Sequence, residues 1–156
     1  MLTGPLVEQS VTVPASRELV WQLLTTPAGL SSWYTIGGGA EVTAKVGSEM
    51  RLWWEADTVF FGRVVTVEAP RRFDYRLAQG VNVSLSMVPS TLVQFLVTEA
   101  PNDPAQTVVA VRESGFTELE DPKEVFTAST MAWIGALGLL QQSVTQLAEA
   151  RRSSEG

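Results

Sequence analysis

The chain of 156 residues contains no cysteine and no histidine. Without cysteine there is no disulfide and no thiolate nucleophile, and without histidine there is no imidazole base. Zinc or iron held by His or Cys is excluded with them, as is any Ser-His-Asp arrangement. The lack of disulfides makes the cytoplasm the default expected location. Basic residues are also scarce: 11 Lys and Arg against 17 Asp and Glu give a net charge of −6. The isoelectric point near 4.6 argues against a nucleic-acid partner, because phosphate binding needs a basic surface. Long hydrophobic runs are missing. The longest nearly unbroken one, Met131 to Leu140, is about half of what a membrane crossing needs, so no membrane partner is expected. The opening MLTGPLVEQS lacks both a basic start and an apolar signal core, so no secretion signal is expected. No nucleotide-binding glycine loop is present, since Gly37-Gly38-Gly39 leads into strand-like sequence and reads as a turn.

What is there is ordinary for a folded globule: 45% hydrophobic and 18% charged residues, enough for one domain spanning residues 1–156. Phe60 to Leu77 carries the clearest local pattern. Phe60, Gly62 and Val64 alternate with Phe61, Arg63 and Val65, and beyond a corner Phe73, Tyr75 and Leu77 alternate with Asp74 and Arg76. Between them Pro70 fixes its own φ and biases Ala69 away from helix, so an antiparallel pair with one apolar face is expected. From Asp121 to Arg152 the period changes. Asp121 as N-cap and Pro122 at the first helical position open a helix in which Phe126, Thr130, Trp133, Leu137, Leu140, Val144 and Leu147 form one stripe. Such a rod would be about 45 Å long, enough to cross a small domain, and one helix laid across a sheet is preferred to a coiled coil.

The remaining elements follow from punctuation. Val7, Gln9, Val11 and Val13 share one face of a first strand, Ser16 caps a short helix from Arg17 to Leu24, and Thr26-Pro27 restarts a second that runs to Trp33. Strands are expected at about 40–45, 49–56, 59–68, 72–79, 91–99 and 107–114, the last two joined by a turn in Pro101 to Ala105.

The start VTVPASRELVWQLLTTPAGLSSWY, the segment Gly62-Arg63-Val64-Val65 with the corner Ala69-Pro70-Arg71-Arg72 into Phe73-Asp74-Tyr75, Ser90-Thr91-Leu92-Val93, Thr107 through Gly115, and Trp133 occur in a characteristic order. From about Val7 to Leu147 the chain resembles START-like proteins of the SRPBCC superfamily, in the branch homologous to the activator of the heat-shock-protein-90 ATPase. The resemblance implies an α+β helix-grip fold: a curved antiparallel sheet wrapped around a long C-terminal helix, with two short helices after the first strand.

A curved sheet cannot touch a straight helix along its whole length, so a cavity is expected between them, the usual shape of a small-molecule site. Ala128, Ser129, Ala132, Gly135, Ala136 and Gly138 are small, which fits either room for a ligand or close packing of the helix on backbone. Strand parity turns Arg51, Glu55, Arg112 and Ser114 to water and Met50, Leu52, Trp54, Phe95, Val97, Val109, Val111 and Glu113 inward. An inward carboxylate would act on protons only if isolated from water, and Glu113 could equally sit at the rim, solvated or paired with an arginine. The expected ligand-binding residues are Trp33, Trp54, Tyr75, Phe95, Val111, Glu113, Trp133 and Leu137, although each aromatic could instead be core. No catalytic residue, cofactor or metal is assigned, the acidic cluster Glu118, Glu120, Asp121 and Glu124 lacking calcium-loop spacing. Tyr34, Tyr75, Lys45 and Lys123 are among the few remaining groups able to move a proton.

Three functions compete: a binding protein for a small hydrophobic or amphipathic molecule, which is preferred; a chaperone-ATPase-activator-like interaction protein; and a polyketide aromatase/cyclase-like enzyme. Whether any reaction is catalysed stays open, with a binding role favoured over an enzyme. Ile134 and Leu139 lie off the main helix stripe and should be covered, either by the 80–89 connection or by a second copy. Cover by the connection is favoured, giving a monomer or weak homodimer.

Overall fold

The computed structural model describes residues 4–155. Seven strands form one antiparallel sheet: β1 (Val7–Val13), β2 (Gly39–Glu41), β3 (Glu49–Glu55), β4 (Thr58–Glu68), β5 (Arg72–Ala78), β6 (Ser90–Ala100) and β7 (Asp103–Ser114). Their spatial order is β1-β7-β6-β5-β4-β3-β2, so the first strand pairs with the last and the rest form a meander. Two short helices, α1 (Arg17–Thr25) and α2 (Pro27–Trp33), follow β1, and α3 (Pro122–Glu155) closes the chain. The sheet is a curled half-barrel holding α3, the helix-grip arrangement. Register shifts near Trp53/Glu55 and Val64/Thr66 mark bulges, which bend the bulged strand and increase its twist.

Local sequence explains most of these elements. Ser16 Oγ accepts the Leu19 amide at 3.3 Å to start α1, and Thr26 Oγ1 accepts the Gly29 amide at 3.0 Å to start α2. Gly29 lets α2 lie against α1, since a Cβ there would stand 2.7 Å from the Cα of Leu23. The corner before β5 closes with the Arg71 amide donating to the Glu68 carbonyl at 2.7 Å. Gly115, at φ 99°, takes the left-handed conformation that turns the chain from β7 into a 3-10 turn, Phe116–Glu118. Asp121 caps α3 through its backbone: its carbonyl accepts the amides of Glu124 and Val125, both at 3.1 Å, and its φ is +52°.

The core fills the concave face. Met50, Leu52, Val64, Phe73, Tyr75, Val93, Phe95, Val109 and Val111 meet Trp133, Leu137, Leu140 and Val144 of α3 and Leu24, Leu30 and Trp33 of α1 and α2. Four sequence expectations need correction. β2 has three residues where 40–45 is expected. The β6–β7 turn tightens to Pro101-Asn102, because pairing resumes at Ala100–Asp103. Ser114 is 4% exposed and not turned to water. Leu147, at the end of the predicted stripe, is 46% exposed because it lies beyond the region packed on the sheet.

The outer face of α3 also departs from expectation. Residues 125–148 include no charged side chain, yet Met131, Ile134 and Leu139 are exposed. The 80–89 connection does not cover them. Its Asn82 instead ties it to the β3–β4 hairpin, donating to the Asp57 carbonyl at 2.8 Å and accepting from the Val59 amide at 3.0 Å. Gly135 and Gly138 have nothing within 4 Å of where a Cβ would stand, so they neither make room for a ligand nor allow close packing.

Candidate functional site

Where α3 crosses the mouth of the half-barrel, a pocket of about 250 Å³ remains between helix and sheet. Four rings line it: Tyr34 at the end of α2, Trp54 of β3, Phe60 of β4 and Trp133 of α3. Leu77 and Ala132 add aliphatic surface, and Gln79, Glu113 and Ser129 add polar groups. Larger grooves of about 530 and 450 Å³ lie on the outer face of the sheet, where Arg112 and Arg72 extend, and are open to solvent.

The rings brace one another. Tyr34 stacks on Trp133 with centroids 5.1 Å apart and planes at 19°, and Trp54 meets Tyr34 edge-on at 5.2 Å and 90°. Phe60 stands edge-on to Trp54 at 5.8 Å. Trp54 is anchored as well, its Nε1 donating to the Tyr34 carbonyl at 2.7 Å. Geometries of this kind add roughly 0.5–1.5 kcal/mol per pair beyond simple burial and hold the walls in place.

Glu113 is the carboxylate among the lining residues. It sits on β7, faces inward as strand parity predicts, and is 4% exposed. It is neither solvated at a rim nor paired with an arginine. Oε2 accepts from Thr91 Oγ1 at 2.6 Å and Oε1 accepts from Trp133 Nε1 at 3.0 Å. Thr91 is held in turn by Gln79 Nε2, which donates to its Oγ1 at 3.0 Å. Arg112, next in the chain, points to the opposite face and pairs with Glu8 at 3.0 Å. Among the described residues no lysine or arginine forms an ion pair with Glu113.

Behind the pocket wall, Tyr75 Oη donates to Tyr34 Oη at 3.3 Å. Burial pushes the Tyr34 hydroxyl well above the ordinary phenol value of 10.0, and Glu113 adds to the shift. The Tyr75 hydroxyl is likewise raised, by burial first and then by Tyr34 and Glu113. Both phenols therefore stay protonated at neutral pH.

Of the residues expected from sequence, Trp54, Glu113 and Trp133 meet at the pocket, Trp54 being at its rim and 36% exposed. Tyr75 and Phe95 stand in the layer beneath: Phe95 packs against Trp133 at 5.7 Å and Tyr75 reaches Tyr34. Trp33, Val111 and Leu137 do not line it. Trp33 is fully buried with its Nε1 donating to the Leu23 carbonyl at 2.9 Å, and Val111 and Leu137 are core. Sequence reasoning missed Phe60, Leu77 and Gln79 as lining residues, and it placed Tyr34 only among groups able to move a proton. Ser129 and Ala132 were signalled by their small size.

Several known proteins share this architecture. The sequence profile of the "Activator of Hsp90 ATPase homolog 1-like protein" family matches residues 14–147. Protein MLL2253 from Mesorhizobium loti superposes with a TM-score of 0.74 at 19% identity, over 91% of this chain and 98% of that one. The Aha1 dimer from Colwellia psychrerythraea gives 0.71 at 21% identity, over 90% and 96%. PFC0360w, an HSP90 activator from Plasmodium falciparum, gives 0.58 at 15% identity, over 72% and 74%. No curated protein matches the chain by sequence.

Proposed function

Since the chain belongs to the family of activator of Hsp90 ATPase homolog 1-like proteins, we propose that it works as a binding protein for a small hydrophobic or amphipathic molecule, held in the pocket between the sheet and α3. One observation carries this reading: an aromatic-walled recess with a buried carboxylate at its base, braced by ring contacts and hydrogen bonds instead of filled by side chains. Pockets of this make-up, mostly apolar with a few fixed polar groups, are the usual form of small-molecule sites. The test is native mass spectrometry of the purified protein together with titration of an apolar fluorescent probe. Ala132→Trp, which plugs the lining from an exposed helix position, should abolish probe binding and leave the fold intact. Probe affinity unchanged by Ala132→Trp would reject the site.

A second reading, modulation of a chaperone ATPase, is favoured by the family description and by the likeness to an HSP90 activator. Stimulation of Hsp90 ATPase turnover that survives Ala132→Trp would favour it over ligand binding. An enzyme reading would displace both if Glu113→Gln removed turnover of a polyketide-like substrate while binding was retained. No helix among the described residues is long and apolar enough to cross a membrane. The lack of cysteine fits a cytoplasmic location, which we propose. We expect a monomer or weak homodimer, the second copy packing on the uncharged outer face of α3. Light scattering over a concentration series checks this, and a dimer that persists on dilution would reject it.

A further inference from the structure

Resting on the reading above, we infer that the pocket selects ligands in which a compact apolar or aromatic body carries a protonated amine, the ammonium seated at Glu113 and the body among Tyr34, Trp54, Phe60 and Trp133.

The starting point is an unbalanced charge. The Glu113 carboxylate is almost inaccessible, and both of its donors, Thr91 Oγ1 and Trp133 Nε1, are neutral. A carboxylate offers about four acceptor positions, so roughly two stay free after these bonds. A buried charge is normally paired because desolvating it alone is costly. The chain provides such a partner elsewhere, giving Asp74 the Arg72 guanidinium at 2.8 Å, but gives Glu113 none. Instead Glu113 lines a cavity, from which a cation could reach it.

The walls suit the same guest. Faces of indole and phenol rings carry negative potential and attract ammonium groups, more strongly when water is displaced. Here two indoles, a phenol and a phenyl ring line the same recess as the carboxylate; Tyr34 is already stacked on Trp33 and Trp133, so Trp54 and Phe60 are the rings left to meet a guest. Tyr34 and Tyr75 stay neutral, their hydroxyls raised by burial, so neither adds negative charge to the site. At about 250 Å³ the pocket lies just below the roughly 300–1,000 Å³ typical of drug-sized ligands, which sets the guest at the scale of an arylalkylamine. Anionic guests are opposed by Glu113 and by the net charge of −6.

The experiment uses three molecules of nearly one shape: 2-phenylethylamine, 2-phenylethanol and phenylacetate, titrated by calorimetry into the full chain at neutral pH. The amine is expected to bind about tenfold or more tightly than the alcohol, and phenylacetate weakest of all. Glu113→Gln should bring amine and alcohol to within about twofold, mainly by weakening the amine. Should Glu113→Gln not fold, the comparison within the unmodified chain still decides. Alcohol bound as tightly as the amine, or phenylacetate preferred, overturns the charge selection while the pocket reading stands. Binding of all three that persists in Ala132→Trp, or no binding of any, removes the pocket reading and this inference with it.

Discussion

Asp74 and Glu113 are carboxylates on opposite faces of the same sheet, 1% and 4% exposed, and they are managed in opposite ways. Asp74 lies on the outer face, where Arg72 reaches it through Nη2 at 2.8 Å and Nε at 2.9 Å, with Gln94 Nε2 at 3.4 Å. Its charge is neutralised two residues away on its own strand. Glu113 lies on the inner face with neutral donors from β6 and α3, and with an open recess beside it. Burial of a carboxylate therefore does not by itself mark a site in this fold. What separates the two is whether the chain brings its own counter-charge and whether a guest can reach the group.

That contrast can be broken from either side. The largest effect is expected for Trp133→Ala, which removes a buried indole and the Oε1 donor together and should cost about 3–5 kcal/mol in denaturant unfolding. Trp133→Phe, keeping the ring but not the donor, should recover most of it; equal losses for the two would mean the hydrogen bond to Glu113 matters more than packing. Arg72→Ala strands the Asp74 carboxylate. A fully buried pair would lose about 3–5 kcal/mol, but the Arg72 side chain is 39% exposed, so about 2 kcal/mol is expected, with no change in ligand binding. Thr91→Val leaves Glu113 Oε2 without its donor and Gln79 Nε2 with only its 3.4 Å bond to the Leu77 carbonyl, and should cost about 1–2 kcal/mol. Unlike Arg72→Ala, it should also weaken binding in the pocket, and unaltered binding would separate Glu113 from the site.

The smallest effect near neutral pH comes from the tyrosine pair. Both folded-state values are raised above 10.0, so the folded state holds its protons longer than the unfolded chain. Their contribution to stability is complete below that pH and is lost as pH climbs from 10.0 toward the raised folded values. The chain has two tyrosines and both belong to this cluster. Tyrosinate absorbance should stay silent through pH 10.0 and appear together with unfolding. A phenolate signal from the folded protein near that pH would show the hydroxyls to be open to water.

Much of the fold was legible because its signals are local. Alternation through Phe60 to Leu77, the Ser16 and Thr26 caps, and the stripe from Phe126 to Val144 each depend on neighbours within a few positions. Glu113 and Trp133 were legible as inward residues for the same reason. Their partnership was not, since the Glu113 bonds to Thr91 and Trp133 span 22 and 20 positions. Phe60, Leu77 and Gln79 escaped because only the crossing point of α3 decides which inward side chains meet helix and which meet empty space. Leu137 shows the converse: it is on the right stripe, one turn too far along, and its place is filled by core.

The pairing of β1 with β7 has a consequence for how the protein is made. Thr107 Oγ1 donates to the Ala15 carbonyl at 2.7 Å across 92 positions, and Gln141 Nε2 reaches the Thr12 carbonyl across 129. At roughly 5–20 residues per second, a ribosome takes about 5–20 s to add 92 residues. Through that interval β1 waits, half-apolar and unpaired, and α3, which closes the concave face, emerges only after β7. The nascent chain thus carries a bare first strand until β7 is made, and pulse proteolysis of ribosome-bound chains stalled before β7 should cut within 7–13 where the released protein resists.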